Sequence, residues 1–167
     1  MKQMKLNGST KTKTKTIIGI DYSLNSPAIC VATGGGTSFS DCNFYYLTSK
    51  KKYIGKMYEN IIGYEHKENN GPIDRFKNLS DWVLHILDTL HKKQTDKKVF
   101  IEGYSYGSKG QAIFQIAENG GILKYRLQKN MNVEQLYQVS LRSLPQAKVM
   151  LIKKKCMNNL NLHKALI

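Results

Sequence analysis

Two carboxylates in this 167-residue chain occupy the same place relative to an apolar stretch, directly at its end. Asp21 closes "TIIGID" and Glu102 closes "KVFIE", and small and polar residues follow both. Burying a single carboxylate costs several kcal/mol unless a partner compensates for its charge. If the two apolar stretches are neighbouring strands, the carboxylates converge at one end of the sheet, and their repulsion then calls for a cation.

Oxygen ligands of this kind suit Mg²⁺ or Mn²⁺. Two such ions about 4 Å apart can activate a water and stabilise the leaving oxygen in phosphodiester cleavage. We therefore take Asp21 and Glu102 as candidate metal ligands and catalytic residues. The alternative is that each acid merely ends a strand in solvent.

Apolar β-branched residues predict strands over residues 16–21 and 28–32. The aromatic-rich stretch Phe39 to Ser49 predicts a third strand, antiparallel to the second. "SKKKYIGK" then continues as an edge strand or a loop. A short buried strand is expected at Val99 to Ile101, and another over residues 132–139.

Two helices are predicted between and after these strands. The first begins near Pro72, with its apolar face formed by Ile73, Phe76, Leu79, Val83, Ile86, Leu87 and Leu90, and Trp82 beside it. The second covers residues 111–128, with a buried side of Ile113, Ile116, Ala117, Leu123 and Leu127. The order of elements predicts a mixed α/β sheet with helices packed on it.

The net charge of +14 is concentrated at the two ends of the chain. Residues 1–16 hold five lysines and residues 141–167 hold six basic residues, and neither range holds an acid. This distribution favours a polyanionic partner such as nucleic acid, although basic ends can also be merely solvated. We expect residues 1–15 to form a flexible basic arm.

Other features restrict the class of protein. No apolar run approaches the length of a membrane span, and the basic N-terminus lacks the apolar segment of a secretory signal. The three cysteines are far apart, so we expect a reducing, cytoplasmic compartment. The four histidines fall at no zinc-ligand spacing.

Residues 16–140 resemble the RuvC-like branch of the RNase H-like superfamily, and more narrowly the phage-encoded RuvC-like Holliday junction resolvases. The resemblance rests on "IIGIDYSLNSPAICV", "FYYLTSKKKY" and "VFIEGYSYGSKGQAIFQIAENGGILKYRL". It implies a mixed five-stranded sheet flanked by helices, Mg²⁺-dependent (or Mn²⁺-dependent) cleavage of branched DNA, a homodimer, and a bacterial or phage-infected host cell. The aspartate of the first strand in that family falls on Asp21, and the glutamate of the central strand on Glu102.

The stretch after Glu102 is expected to face the nucleic acid. The donors there are Ser105, Tyr106, Ser108 and Lys109, and the amides at the start of the next helix favour a phosphate. Tyr104 and Tyr106 could stack on unpaired bases; a plain glycine turn with core tyrosines is the alternative. Lys124 and Arg126 could reach phosphates, but a solvated helix face explains them slightly better.

The resemblance breaks down in the C-terminal part. RuvC-like nucleases complete their metal site with one or two further aspartates on a C-terminal helix, whereas this chain has no aspartate after Asp96. The only acids beyond Glu102 are Glu118 and Glu134, and neither occupies the expected place. The catalytic set is therefore incomplete and the activity is expected to be impaired.

A nucleic-acid-binding module without catalysis is the alternative function. An actin-like ATPase ranks last, because "DYSLNSP" has no phosphate-binding glycine and 167 residues are too few for two lobes.

We interpret residues 141–167 as an aberrant basic tail that was translated in a shifted reading frame. RuvC-like phage proteins carry a segment of the type "KFATGKGNADK" after the strand that corresponds to "EQLYQVS". When the tail is back-translated and read from the third base of the Ser140 codon, suitable synonymous codons yield "PTKFATGKGNADKEKMYEQFESAQGFN". Only the first base of each shifted codon is free in this reading, so most tails could not produce such a string.

The nucleotide sequence tests this interpretation directly. We expect the shifted frame, entered between Val139 and Leu141, to encode the "KFATGKGNADK" segment. A shifted frame that meets an immediate stop codon or encodes an unrelated segment would contradict the interpretation.

Overall fold

The computed structural model describes residues 15–34, 38–91, 96–103, 110–130 and 135–139. Within these ranges the chain forms seven strands and two α-helices. The strands are β1 (Lys15–Asp21), β2 (Ala28–Thr33), β3 (Cys42–Thr48), β4 (Gly55–Tyr58), β5 (Ile61–Glu65), β6 (Asp96–Glu102) and β7 (Gln135–Val139). The helices are α1 (Pro72–His85), which continues as a π-helical turn over Ile86–Leu90, and α2 (Gln111–Asn130). The basic tail predicted for residues 141–167 lies outside the described residues, as does the predicted arm except for Lys15.

All seven strands belong to one mixed sheet in the order β4-β5-β3-β2-β1-β6-β7. β1, β2 and β3 pair antiparallel in sequence, while β6 pairs parallel to β1 and β7 parallel to β6. The predicted α/β class with helices on a mixed sheet is confirmed. The predicted number of five strands is wrong, because β4 and β5 form a hairpin that extends the sheet beyond β3.

The sequence pattern does not predict β5, because a glycine lies at its centre, where glycine ordinarily weakens a strand. Here Gly63 permits a close approach: a Cβ built on it would lie 1.9 Å from the backbone oxygen of Tyr53 and 2.9 Å from the ring of Tyr46. The Tyr46 hydroxyl donates to that same Tyr53 oxygen at 2.8 Å. Gly63 thus lets the turn before β4 and the side chain of Tyr46 pack over β5.

One face of the sheet packs on both helices and forms the core. Alternate strand residues such as Ile18, Ile20, Val99 and Ile101 contribute to it, together with Leu79, Val83 and Leu87 of the first helical segment and Leu123 and Leu127 of α2. Four predicted core positions are wrong: Ile73, Leu90 and Ile113 are 65%, 45% and 38% exposed, and Ala117 is also exposed. These positions lie in the end turns of the first helical segment or in the N-terminal half of α2.

The two helices are joined by a polar cluster as well as by apolar contacts. Arg126 of α2 forms an ion pair with Asp81 at 2.6 Å and donates to the Ser80 hydroxyl at 2.6 Å. Lys77 also pairs with Asp81 at 2.9 Å. Burial raises the pKa of Asp81, but the hydrogen bonds from Lys77 and Arg126 outweigh it, so the net pKa is lowered. Arg126 is thus an interhelical residue, which corrects both sequence-based interpretations of it.

A buried lysine caps a carbonyl near the C-terminal end of the first helical segment. Lys97 of β6 is only 6% exposed, and its Nζ donates to the Leu87 carbonyl at 3.1 Å. Burial lowers the pKa of Lys97, while nearby Asp88 opposes that shift. A cation that donates to a helix C-terminal carbonyl is favourable, so Lys97 fixes the end of the helix against β6. In the described part of the chain, no helix is long and apolar enough to cross a membrane.

Replacement of Gly63 tests the close approach over β5. We expect Gly63→Ala to lower the free energy of unfolding by about 1–3 kcal/mol, the usual cost of overpacking, since a backbone oxygen must move away. Chemical denaturation followed by circular dichroism measures the change. Gly19→Ala is the matched control, because a Cβ at Gly19 meets nothing within 4 Å; equal loss of stability in both variants would contradict this packing.

Candidate functional site

Asp21 and Glu102 end two neighbouring parallel strands. The β1–β6 register pairs Ile18 with Val99 and Ile20 with Ile101, and the two carboxylates are the next residue of each strand. Adjacent strands lie about 4.8 Å apart. This register therefore places Asp21 and Glu102 side by side at the carboxyl ends of β1 and β6.

The two carboxylates also share one face of the sheet. Ile20 and Ile101 belong to the core under the helices, and successive side chains of a strand point to opposite faces. Asp21 and Glu102 therefore project from the face opposite α1 and α2. Both are half-buried. Two hard oxygen donors thus lie on one side of the sheet, and their joint use as metal ligands stays a prediction.

On the β2 side, the residue paired with Asp21 has a small side chain. Asp21 pairs with Ala28 of β2, and Ala28 pairs with Tyr46 of β3. On the other side Glu102 pairs with Val139 of β7. The methyl group of Ala28 is too short to cover the adjacent carboxylate, while Tyr46 is turned to the Tyr53 oxygen by its hydrogen bond.

The loop that follows Asp21 is held by side chains from distant elements. Arg75 of α1 donates to the Leu24 carbonyl at 2.7 Å and to Asn25 Oδ1 at 2.6 Å. His66, after β5, hydrogen-bonds the Asn25 carbonyl at 2.9 Å. These contacts fix the chain immediately beyond Asp21, so Arg75 is a positioning residue. The sequence pattern does not reveal it, because a polar residue in a helix carries no signal of its distant partner.

Tyr22, the residue after Asp21, packs against the core rather than into the site. Burial raises the pKa of its hydroxyl well above the usual range, and the charge of Arg126 partly opposes this. Within the described part of the chain its hydroxyl oxygen is buried and has no hydrogen-bond partner. Tyr22 thus anchors the loop by its ring and stays protonated.

The predicted nucleic-acid-binding residues are only partly within the described structure. Ser105, Tyr106, Ser108 and Lys109 lie outside the described residues, as does Tyr104. Lys124 is half-buried on α2, one residue after Leu123, which is fully buried in the core. The nucleic-acid-binding role of all of these residues therefore stays a prediction.

The first turns of α2 lie outside the core. Residues 112–114 are exposed, with Phe114 69% exposed, and Asn119 is the first buried residue within 112–129. Gly110 precedes the helix with a φ of 67°, a backbone conformation that favours glycine. The Gly110 carbonyl accepts from the Ile113 amide at 3.3 Å. The start of α2 is thus exposed and lies outside the core.

Among the described residues, the candidate metal ligands at this site are Asp21 and Glu102. Across the same described residues, no group of three or more histidine, cysteine, aspartate or glutamate side chains is arranged to hold a metal ion. Two carboxylates on adjacent strands suit one hard divalent cation whose remaining ligands are water. They do not by themselves supply the larger carboxylate set that two ions require.

Comparison with protein-family models finds no match for this chain, and comparison with curated proteins finds none either. The candidate site is therefore identified by the geometry of β1, β6 and their flanking segments.

Removal of either carboxylate tests the cation site. We expect Asp21→Asn and Glu102→Gln each to weaken Mn²⁺ binding by about tenfold or more, because each replaces an anionic carboxylate ligand by a neutral amide. Electron paramagnetic resonance of free Mn²⁺ measures the affinity. Glu65→Gln is the matched control, since Glu65 ends β5 on the same face but is separated from β1 by β3 and β2. Equal binding by the wild type and both site variants would contradict the site.

Proposed function

We propose that this chain is a RuvC-like, divalent-metal-dependent endonuclease for branched DNA, with an incomplete carboxylate set that makes it a weak catalyst. One observation carries the proposal: Asp21 and Glu102 are neighbours on one face at the carboxyl ends of the parallel strands β1 and β6. Such a pair could hold one divalent cation beside a scissile phosphate, and a cation in that position can activate water and stabilise the leaving oxygen.

The sheet order supports an RNase H-like fold for the same region. The five contiguous strands β3-β2-β1-β6-β7 form a mixed sheet, with an antiparallel meander on one side of β1 and parallel strands on the other. The β4–β5 hairpin extends the sheet beyond β3 and leaves the β1–β6 pair in place. The five-stranded core implied by the resemblance is therefore compatible with the seven strands observed.

The residues of the site have distinct tasks in this proposal. A divalent cation, when bound, would lower the pKa of a coordinated water and neutralise charge on the scissile phosphate. Asp21 and Glu102 would hold it, and the loop fixed by Arg75 would keep Asp21 in position.

The missing carboxylates predict that cleavage is slow. RuvC-like enzymes use further aspartates from a C-terminal helix, and the sequence has no aspartate beyond Asp96. Glu118 cannot replace them, because it is exposed on α2, the helix that packs on the opposite face of the sheet. With two carboxylates the cation is held weakly and a second one is held poorly.

The small carboxylate set also favours a second candidate function. A DNA-binding module that has lost cleavage would retain the basic charge and the accessible start of α2 while needing no complete metal site. The two functions differ in one observable, the cleavage of a bound junction in the presence of a divalent cation.

Incubation of the protein with a labelled four-way junction tests the proposal. We expect the junction to be bound more tightly than a linear duplex of the same length, and to be cut slowly in Mg²⁺ or Mn²⁺. Asp21→Asn and Glu102→Gln should abolish cleavage while junction affinity stays within about twofold of the wild-type value, because few phosphate contacts depend on them.

Controls separate the alternatives. Glu65→Gln should cut at the wild-type rate, because this carboxylate is remote from the pair. Preferential binding without any cleavage would favour the non-catalytic module. Equal affinity for the junction and the linear duplex would contradict specificity for branched DNA, and undiminished cleavage by Asp21→Asn would contradict the assigned site.

A further inference from the structure

Two cysteines that are distant in sequence meet on neighbouring strands. In the β2–β3 register Cys30 pairs with Phe44 and Ala32 pairs with Cys42, so the two thiols are diagonal neighbours. They lie on the same face, since Ile29 and Val31 on either side of Cys30 belong to the core under the helices. This is the face that also carries Asp21, because Cys30 pairs with Gly19 of β1.

The thiols are in contact with each other and with the backbone. Cys30 and Cys42 share a side-chain hydrogen bond, and the Cys42 thiol also donates to the Ser38 carbonyl at 3.5 Å. Cys42 is 5% exposed, whereas Cys30 is half-buried. The pair is therefore closed on the Cys42 side by the turn at Ser38 and more open on the Cys30 side.

We propose that Cys30 and Cys42 form a redox-active pair that closes to an intramolecular disulfide when a small peroxide oxidises it. This disulfide would form independently of the proposed nuclease function. Both cysteines lie on the sheet face of the carboxylate pair, with Cys30 one strand and Cys42 two strands away from β1.

The reaction is a two-step oxidation with hydrogen peroxide as the oxidant. The Cys42 thiolate attacks one peroxide oxygen, the O–O bond breaks, hydroxide leaves, and Cys42 becomes a sulfenic acid. The Cys30 sulfur then attacks the Cys42 sulfur; the S–S bond forms, the S–O bond breaks, and the oxygen leaves as water with the Cys30 proton. Two thiols are oxidised by two electrons in total, one peroxide is reduced, and two waters are formed.

The hydrogen bond from Cys30 stabilises the Cys42 thiolate, and peroxide would reach this thiolate from the more open Cys30 side. That hydrogen bond lowers the pKa of Cys42 to about 7, against the opposing effects of burial and of Asp41. A thiol with a pKa near neutral pH combines a substantial thiolate fraction with good nucleophilicity. Cys30 is then already in contact to resolve the sulfenic acid.

The diagonal geometry predicts that the disulfide is easily reduced. Diagonal neighbours in an antiparallel pair have Cα atoms about 7–8 Å apart, at or beyond the usual upper limit for a disulfide. Cys42 is the first residue of β3, directly after the short 3₁₀ turn Phe39–Asp41, so the strand start must shift towards β2. A bond formed under such strain is readily opened by a dithiol reductant.

Peptide mapping of the full-length protein tests the proposal. A Cys156→Ser background leaves only the two proposed partners, and hydrogen peroxide is followed by alkylation of free thiols. Trypsin leaves both cysteines in one peptide, residues 16–50, since no lysine or arginine lies between Lys15 and Lys50. We expect this peptide to lose two hydrogens in mass and to carry no alkyl group, and dithiothreitol should restore both alkylation sites.

A second digestion and two variants test the intramolecular linkage and the order of attack. Cleavage before Asp41 separates Cys30 from Cys42, so an intramolecular disulfide must link two peptides from a monomeric protein. Cys30→Ser should instead accumulate a dimedone-reactive sulfenic acid on Cys42, and Cys42→Ser should react with peroxide at least about tenfold more slowly, because it removes the thiol whose thiolate the pair stabilises. Alkylation of both cysteines after peroxide, or linkage only between separate molecules, would overturn the proposal.

Discussion

The parallel pairing of β1 with β6 is the constraint on which the rest of the structure depends. The two strands lie about eighty residues apart in the chain, and the apolar side chains of Ile18, Ile20, Val99 and Ile101 align on one face. Full burial of each is worth about 1.5–3 kcal/mol. A shift of one residue in either strand would expose its apolar set. The register that protects the core is therefore the same register that brings Asp21 beside Glu102.

This coupling explains how a charged pair can persist at the end of a stable sheet. The energy that holds the strands in register comes from the opposite face, under α1 and α2, and not from the carboxylates. Arg126 and Asp81 connect the helices over that face, and Lys97 fixes the end of the first helical segment. The face that carries Asp21 therefore contributes little buried apolar surface around β1 and β6, where Ile17 is 37% exposed and Phe100 is half-buried.

Sequence patterns predict the strands and helices whose apolar residues recur regularly on one face. β1, β2, β6 and both helices follow from apolar periodicity, and Asp21 and Glu102 follow from their common position at strand ends. β5 escapes prediction because Gly63 interrupts the pattern, although its missing side chain is what Tyr53 and Tyr46 require. Arg75 and the Cys30–Cys42 contact could not be predicted, because each depends on a partner placed by tertiary structure. Ile73 and Ile113 show the opposite failure. Helical periodicity predicts that both are buried, whereas both are exposed.

The face opposite the helices is itself divided, and this division separates the two sites. Around β2, β3 and β5 it is closed: Phe39 stacks on Phe44 at 5.2 Å, and Ile61 and Cys42 are 2% and 5% exposed. Around β1 and β6 it stays partly open, with half-buried carboxylates. Cys30 lies at the boundary, paired with Gly19 on one side and with Phe44 on the other. Cys30 is thus partly exposed, while the strands on both sides hold its backbone in register and the core beneath maintains the pairing of β1 with β6.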